Sequence, residues 1–222
     1  MQDETQKKHR QAVLFAFYSF SDVNKAKITN KIINGDIGYQ LIRPMGLYEY
    51  WFAEISAKSV SLTLLRCFPI LIITLCMPLS CGLSLPVSFA AFALFLIALL
   101  LGFLIVKAIN MLCYILVMKT LNGQGVFSFA VTIAAFFAGQ IVPIPMLPSN
   151  VQMVFNFLPF RYVSDLAFRI YIGNINITDG LFQIGIQVFW VVTLILIGKF
   201  LMKQALKTTV VQGGWYYETT IS

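Results

Sequence analysis

The chain has 222 residues, of which 59% are hydrophobic and only 11% charged, with a mean hydropathy of +0.81. Soluble domains run at about 45–50% apolar and about 25% charged, so a soluble core cannot hide this much apolar surface; most soluble enzyme classes and a disordered chain are excluded. The net charge of +7 fits lysines held in loops on the cytoplasmic side of a membrane, not a nucleic-acid partner, because no basic patch is interleaved with aromatics.

Residues 1–10 are polar and mixed in charge, and the apolar stretch 11–20 is too short to span a bilayer. No signal peptide is visible. Residues 22–44 mix Lys, Asp and Asn with isolated apolar residues. Ile28, Ile32, Ile33 and Ile37 share roughly one helical face. Gly35, Gly38 and the Arg43-Pro44 pair break that face, and composition favours a solvated cytoplasmic loop. Residues 46–60 read differently. Leu47, Tyr48, Trp51, Phe52 and Ile55 fall at i, i+1, i+4, i+5 and i+8, an amphipathic helix with an aromatic-rich face, and Glu54 and Lys58 stand four apart in the favourable order. Such a helix is expected to lie in the membrane interface. It either relays a push into the first span or anchors it; periodicity does not separate the two.

Four segments are apolar enough to cross a bilayer at about 20 residues each. They are residues 61–79, 86–118, 125–142 and 181–202. The second is too long for one crossing and is expected to project past the membrane at its Lys-bearing end. The first carries Arg66, whose side chain either snorkels to the cytoplasmic headgroups or lines a cavity. Residues 143–180 contain Pro143, Pro145, Pro148 and Pro159, too many breaks for a span in a segment too apolar for a free loop. Two short helices are expected there, near 150–157 and 161–171, capping a pathway or a dimer seam on the outer face. Asn176-Ile177-Thr178 matches a glycosylation acceptor, a three-residue pattern of low specificity.

Sidedness follows from the cations. Lys7, Lys8, Arg10, Lys25, Lys27, Lys31, Arg43 and Lys58 precede the first span, Lys107 and Lys119 flank the loop between the second and third, and Lys199, Lys203 and Lys207 close the chain. Only Arg161 and Arg169 fall on the other side. The lysine-bearing side, and with it the C-terminus, is therefore cytoplasmic.

The inventory for catalysis is poor. His9 is the sole histidine and sits in the polar start of the chain; no Asp or Glu falls within the four spans; and no G-x-x-x-x-G-K-[ST] occurs. The four cysteines form no C-x-x-C pair. No enzymatic activity, metal or cofactor is expected.

Two stretches carry a family resemblance. The cytoplasmic run Ile33-Asn34-Gly35-Asp36-Ile37 … Leu41-Ile42-Arg43-Pro44 resembles the "I-x-x-G … L-x-R-P" stretch of ABC-2-type transporter permeases. The outer run Gly139 … Pro143 … Leu147-Pro148 … Leu158-Pro159-Phe160 … Gly173 is similar to their loop before the final span. The resemblance covers about residues 20–205. It implies an all-α integral membrane fold and one permease domain over 1–222, with residues 1–60 as its cytoplasmic and interfacial coupling region. It further implies the membrane subunit of an ATP-driven exporter, working as a homo- or heterodimer in a cell membrane of the bacterial inner or plasma type. ATP hydrolysis would belong to a separate ATPase subunit. Residues 28–44 and 46–60 would form the relay, with Gly35, Ile37, Leu41, Arg43 and Pro44 as coupling positions. Arg66 would be a pathway residue, and Pro143, Pro148, Pro159 and Phe160 an outer gate. The family has six spans and four are expected here, with residues 11–20 standing where the end of the second family span would be. That departure supports an alternative, a non-transporting membrane scaffold or immunity-type subunit.

Overall fold

The computed structural model describes residues 22–33, 46–76, 88–137, 148–163, 165–171 and 173–208. The described residues form helices and no strand. In chain order these are α1 (Asp22–Ile33), α2 (Leu47–Cys76), α3 (Phe89–Thr120), α4 (Gly123–Phe137), α5 (Ser149–Phe157), α6 (Pro159–Tyr162), α7 (Asp165–Tyr171) and α8 (Ile177–Thr208). Among the described residues, α3 and α8 are long and apolar enough to cross a membrane. At 1.5 Å per residue each 32-residue helix is about 48 Å long, well beyond a hydrocarbon core of about 30 Å. Lys119 and Lys207 occupy their last turns. Lys199, Lys203 and Lys207 therefore stand on a helix at four-residue spacing, not in a free tail.

These two helices are the axis of the molecule, packed along each other, and every other element docks on them. Ser88 starts α3 by accepting a hydrogen bond from the Ala91 N–H at 3.1 Å. Leu121 ends it in the left-handed region at φ 53°, donating its N–H to the Val117 carbonyl. Asn122 then caps α4, its side-chain oxygen accepting from the Gly125 N–H at 3.0 Å. Two residues thus reverse the chain and lay α4 beside α3.

One expectation for the segments before the first expected span is corrected. Residues 22–33 are not a solvated loop but α1, which buries Ile28 and Ile32 to 2% and 4% exposure. Composition is a poor guide here because only one turn-to-turn pair of a polar helix is buried, while Ile33 stays half exposed. Residues 46–60 are helical, as their periodicity predicts. They are the first half of α2, continuous with the start of the first expected span. Their aromatic face is covered by protein: Leu47, Tyr48, Trp51 and Ile55 are all at or below 5% exposure, within a cluster that includes Met111, Tyr114 and Met118 of α3 and Met202 and Ala205 of α8.

Of the two short helices expected near 150–157 and 161–171, the first is α5, and the second is divided into α6 and α7. Pro148 stands just before α5, Pro159 occupies the first turn of α6, and α7 follows one short turn later. Proline is tolerated at these first positions because their N–H groups have no intrahelical partner.

Candidate functional site

Two poles of the molecule concentrate its specific contacts. The inner pole is the aromatic cluster under α1. The Trp51 indole, with no exposed surface, meets the Tyr114 ring edge-on at 6.4 Å, and Tyr114 meets Phe127 of α4 edge-on at 5.0 Å. α1 seats on this stack through Ile28 and Ile32, while the Thr29 methyl fills the space where a Cβ on Gly123 would sit. On the other flank, Tyr48 lies against Gly198 of α8, its ring within 2.7 Å of where a Cβ would stand. Next to it Lys199 pairs with Glu49 at 2.8 Å, both about half exposed. α1, α2, α3, α4 and α8 therefore contribute to one cluster, in which α1 seats mainly on α3 and α4 and reaches α2 through them.

The charges here favour the ionised carboxylates. The Lys199 hydrogen bond holds Glu49 below the usual carboxylate range. Burial alone would raise Glu54, but the hydrogen bond from Lys58 and the charges of Lys58, Lys31 and Lys27 overcome it and lower its pKa. Glu54 is thus the point at which α1 cations address α2. Burial, with the Glu49 charge beside it, pushes the Tyr48 phenol up to about 12, so it remains neutral. A carboxylate whose folded pKa is depressed adds stability above its unfolded pKa and loses it as pH falls through the folded one. Wild type is therefore expected to lose stability below about pH 4.5, the unperturbed value. Glu54→Gln should flatten that acid limb while costing less than about 1 kcal/mol at neutral pH. Unfolding midpoints of both proteins across pH 3–7 in detergent provide the check.

The opposite pole, outer in the expected sidedness, is a cap formed by α5, α6 and α7 on the halves of α3 and α8 remote from Lys119 and Lys207. Gln187 of α8 is fully buried, and its amide donates to the Tyr162 carbonyl at 2.6 Å and the Ala98 carbonyl at 3.3 Å. One side chain therefore ties α6 to α3 and α8. The Trp190 ring N–H donates to the Phe157 carbonyl at 2.9 Å, at the end of α5. Gly102 lets α3 approach the turn after α6, since a Cβ there would stand 2.3 Å from the Val163 carbonyl oxygen. Aromatic rings complete the contact: Phe137 of α4 stacks on Phe160 at 5.8 Å, and Phe155 leans on both Phe136 and Phe137. Gln187→Met keeps the volume and removes both donated bonds. It is expected to cost about 1 kcal/mol globally, as for a typical buried hydrogen bond. It should accelerate amide exchange selectively in residues 159–171.

Of the residues singled out from sequence, Pro148, Pro159 and Phe160 belong to this cap. Pro159 is buried, and Phe160 is partly buried against Phe137. Gly35, Ile37, Leu41, Arg43, Pro44 and Pro143 lie outside the described residues. Arg66 falls on α2, with its side chain outside the described residues. Among the described residues the buried polar side chains are Ser59, Lys107 and Gln187, of which the sequence pattern marks only Lys107, as a cation near a loop. Lys107 does not flank a loop: it is 2% exposed, well inside α3, with its ammonium 5.1 Å from the centre of the Phe103 ring. The signal for Gln187 was present, a glutamine within an apolar run, where polar side chains serve as interhelical glue. Among the described residues no cluster of His, Cys, Asp or Glu is placed to hold a metal.

Comparison with known proteins adds one match. No curated protein and no solved structure matches the chain significantly. A family described as ABC-2 family transporter protein matches residues 11–213, most of the chain and both poles. The chain therefore belongs to the ABC-2 family of membrane transporter proteins.

Proposed function

We propose that this chain is the permease subunit of an ATP-driven exporter, paired with a second permease chain and driven by a separate ATPase subunit. The observation that carries the reading is α2. It runs as one helix from the inner aromatic cluster into the first apolar segment, so a load on the cluster is carried toward that segment along it. Residues 47–68, ahead of Pro69, which removes a backbone donor, cover about 33 Å.

The reading takes four crossings, residues 61–79, 86–118, 125–142 and 181–202, with α1 and the C-terminal end of α8 in the cytoplasm. ATPase closure pushes on residues 28–44, where Gly35, Ile37, Leu41, Arg43 and Pro44 make the contact and α1 passes it to Trp51. The outer cap, with Pro143, Pro148, Pro159 and Phe160, forms the exit gate, and Arg66 faces the pathway. The bonds from Gln187 and Trp190 to backbone carbonyls suit a cap that moves as a unit, because neither depends on a changeable side-chain partner.

The test is co-purification of the tagged chain from its native membrane in mild detergent, followed by ATP turnover of any captured ATPase in nanodiscs. Turnover is expected to change severalfold when the chain is present, and Arg43→Ala or Gly35→Val to abolish that change while membrane insertion is retained. A stable chain that captures no ATPase, or turnover indifferent to it, would favour the scaffold role instead.

A further inference from the structure

Charge is scarce on the expected outer segment: residues 143–180 carry only Arg161, Asp165, Arg169 and Asp179. Two of these four, Arg169 and Asp179, line a single cavity of about 340 Å³ between the end of α7 and the first turns of α8. Arg169 comes from α7. Asp179, Phe182 and Gln183 come from one face of α8, at i, i+3 and i+4. Asn174 and Asn176 supply amides from the intervening turn. That turn is tied down. Gly173 takes a left-handed φ of 75°, its N–H donates to the Ile170 carbonyl, and the Asn174 N–H donates to the Arg169 carbonyl at 3.0 Å. The Asn176 carbonyl in turn accepts from Gly180 at 2.9 Å. Phe182 and Leu181, 73% and 53% exposed, mark where α8 turns apolar. The cavity therefore opens at the boundary between the polar turn and the apolar body of α8.

We propose that this cavity binds the zwitterionic headgroup of an outer-leaflet phospholipid, with the phosphate toward Arg169 and the ammonium toward Asp179. A guanidinium suits a phosphate through charge-assisted bonds. A purely anionic headgroup would leave its phosphate facing the Asp179 carboxylate without compensation; a headgroup carrying both charges uses both walls. Asn174, Asn176 and Gln183 offer donors and acceptors to the remaining oxygens, and Phe182 covers the glycerol and first methylenes. The assignment needs the outer position of this segment and does not depend on ATP coupling, so it stands or falls separately from the exporter reading.

The test is native mass spectrometry of the full chain in detergent. The probes are short-chain phosphatidylethanolamine, phosphatidylglycerol, a neutral glycosyl-diacylglycerol and free phosphoethanolamine. Wild type should retain the ethanolamine lipid about fivefold more strongly than the glycerol lipid, the scale of one partly exposed ion pair. Asp179→Asn, at an exposed position, should erase that preference, weakening the ethanolamine lipid and relieving the repulsion felt by the glycerol lipid. Phe182→Ala should weaken both lipids alike. Equal retention of the two lipids by wild type, or a preference that survives Asp179→Asn, would overturn the proposal. Stronger binding of the glycosyl lipid would assign the cavity to sugars, and free phosphoethanolamine binding as well as the lipid would assign it to a soluble ligand; either overturns it.

Discussion

Replacing Trp51 by alanine is expected to cost about 3–5 kcal/mol of stability, the range for deleting a fully buried large aromatic. Trp51 has no exposed surface and stands where α1, α2 and α3 meet, so the lost volume cannot be refilled by one neighbour. The Tyr114 ring, wedged between Trp51 and Phe127, loses one of its two edge contacts. α1 is held to the rest chiefly by Ile28 and Ile32, and both lie in the same cluster. The loss should therefore appear first as release of α1, seen as early amide exchange in residues 22–33, and only later as global unfolding. Trp51→Phe should recover more than half of the stability and keep α1 protected. If the alanine variant unfolds no earlier than wild type, the inner cluster is not what holds α1.

The second large effect is expected at Gly102. A Cβ at this position would stand 2.3 Å from the Val163 carbonyl oxygen and 3.1 Å from its carbon. The obstacle is backbone, so no rotamer change relieves it, and the turn between α6 and α7 must back away from α3. Overpacking of this kind costs about 1–3 kcal/mol. The better helix propensity of alanine returns about 1 kcal/mol, so Gly102→Ala should be mildly destabilising. Gly102→Val adds two methyls and loses most of that return, and should reach the upper end of the range. The displacement also pulls Tyr162 away from Gln187, so Gly102→Val and Gln187→Met should be strongly non-additive. Thermal unfolding of the two single variants and the double variant measures the coupling; simple additivity would separate the Gly102 contact from the Gln187 tie.

The cores of α3 and α8 were legible because an unbroken apolar run has few alternatives. The short outer helices were legible because Pro148 and Pro159 punctuate them where a helix can start. Sequence pattern was less informative wherever a partner decides the outcome. α1 is polar enough to be read as a loop, and it becomes a helix because Ile28 and Ile32 find Ile115, Met118 and Phe127 beneath them. The aromatic face of α2 has the same periodicity whether it meets lipid or protein, so its direction is invisible until α3 and α8 are in place. Gln187 and Lys107 were absorbed into apolar and cationic tallies respectively, although burial makes each a specific contact. Membership of the ABC-2 family agrees with the resemblance read from the two motif stretches.

The whole account requires the inner cluster and the outer cap to face opposite compartments. In a chain with Cys67, Cys76, Cys81 and Cys113 changed to serine, single cysteines at Lys27, Lys203 and Asn176 can be challenged with an impermeant maleimide in intact cells and again after lysis. The account predicts that position 176 reacts in intact cells, whereas 27 and 203 react only once the membrane is opened. Labelling of 27 and 203 from opposite sides, or of 27 and 176 from the same side, would contradict it.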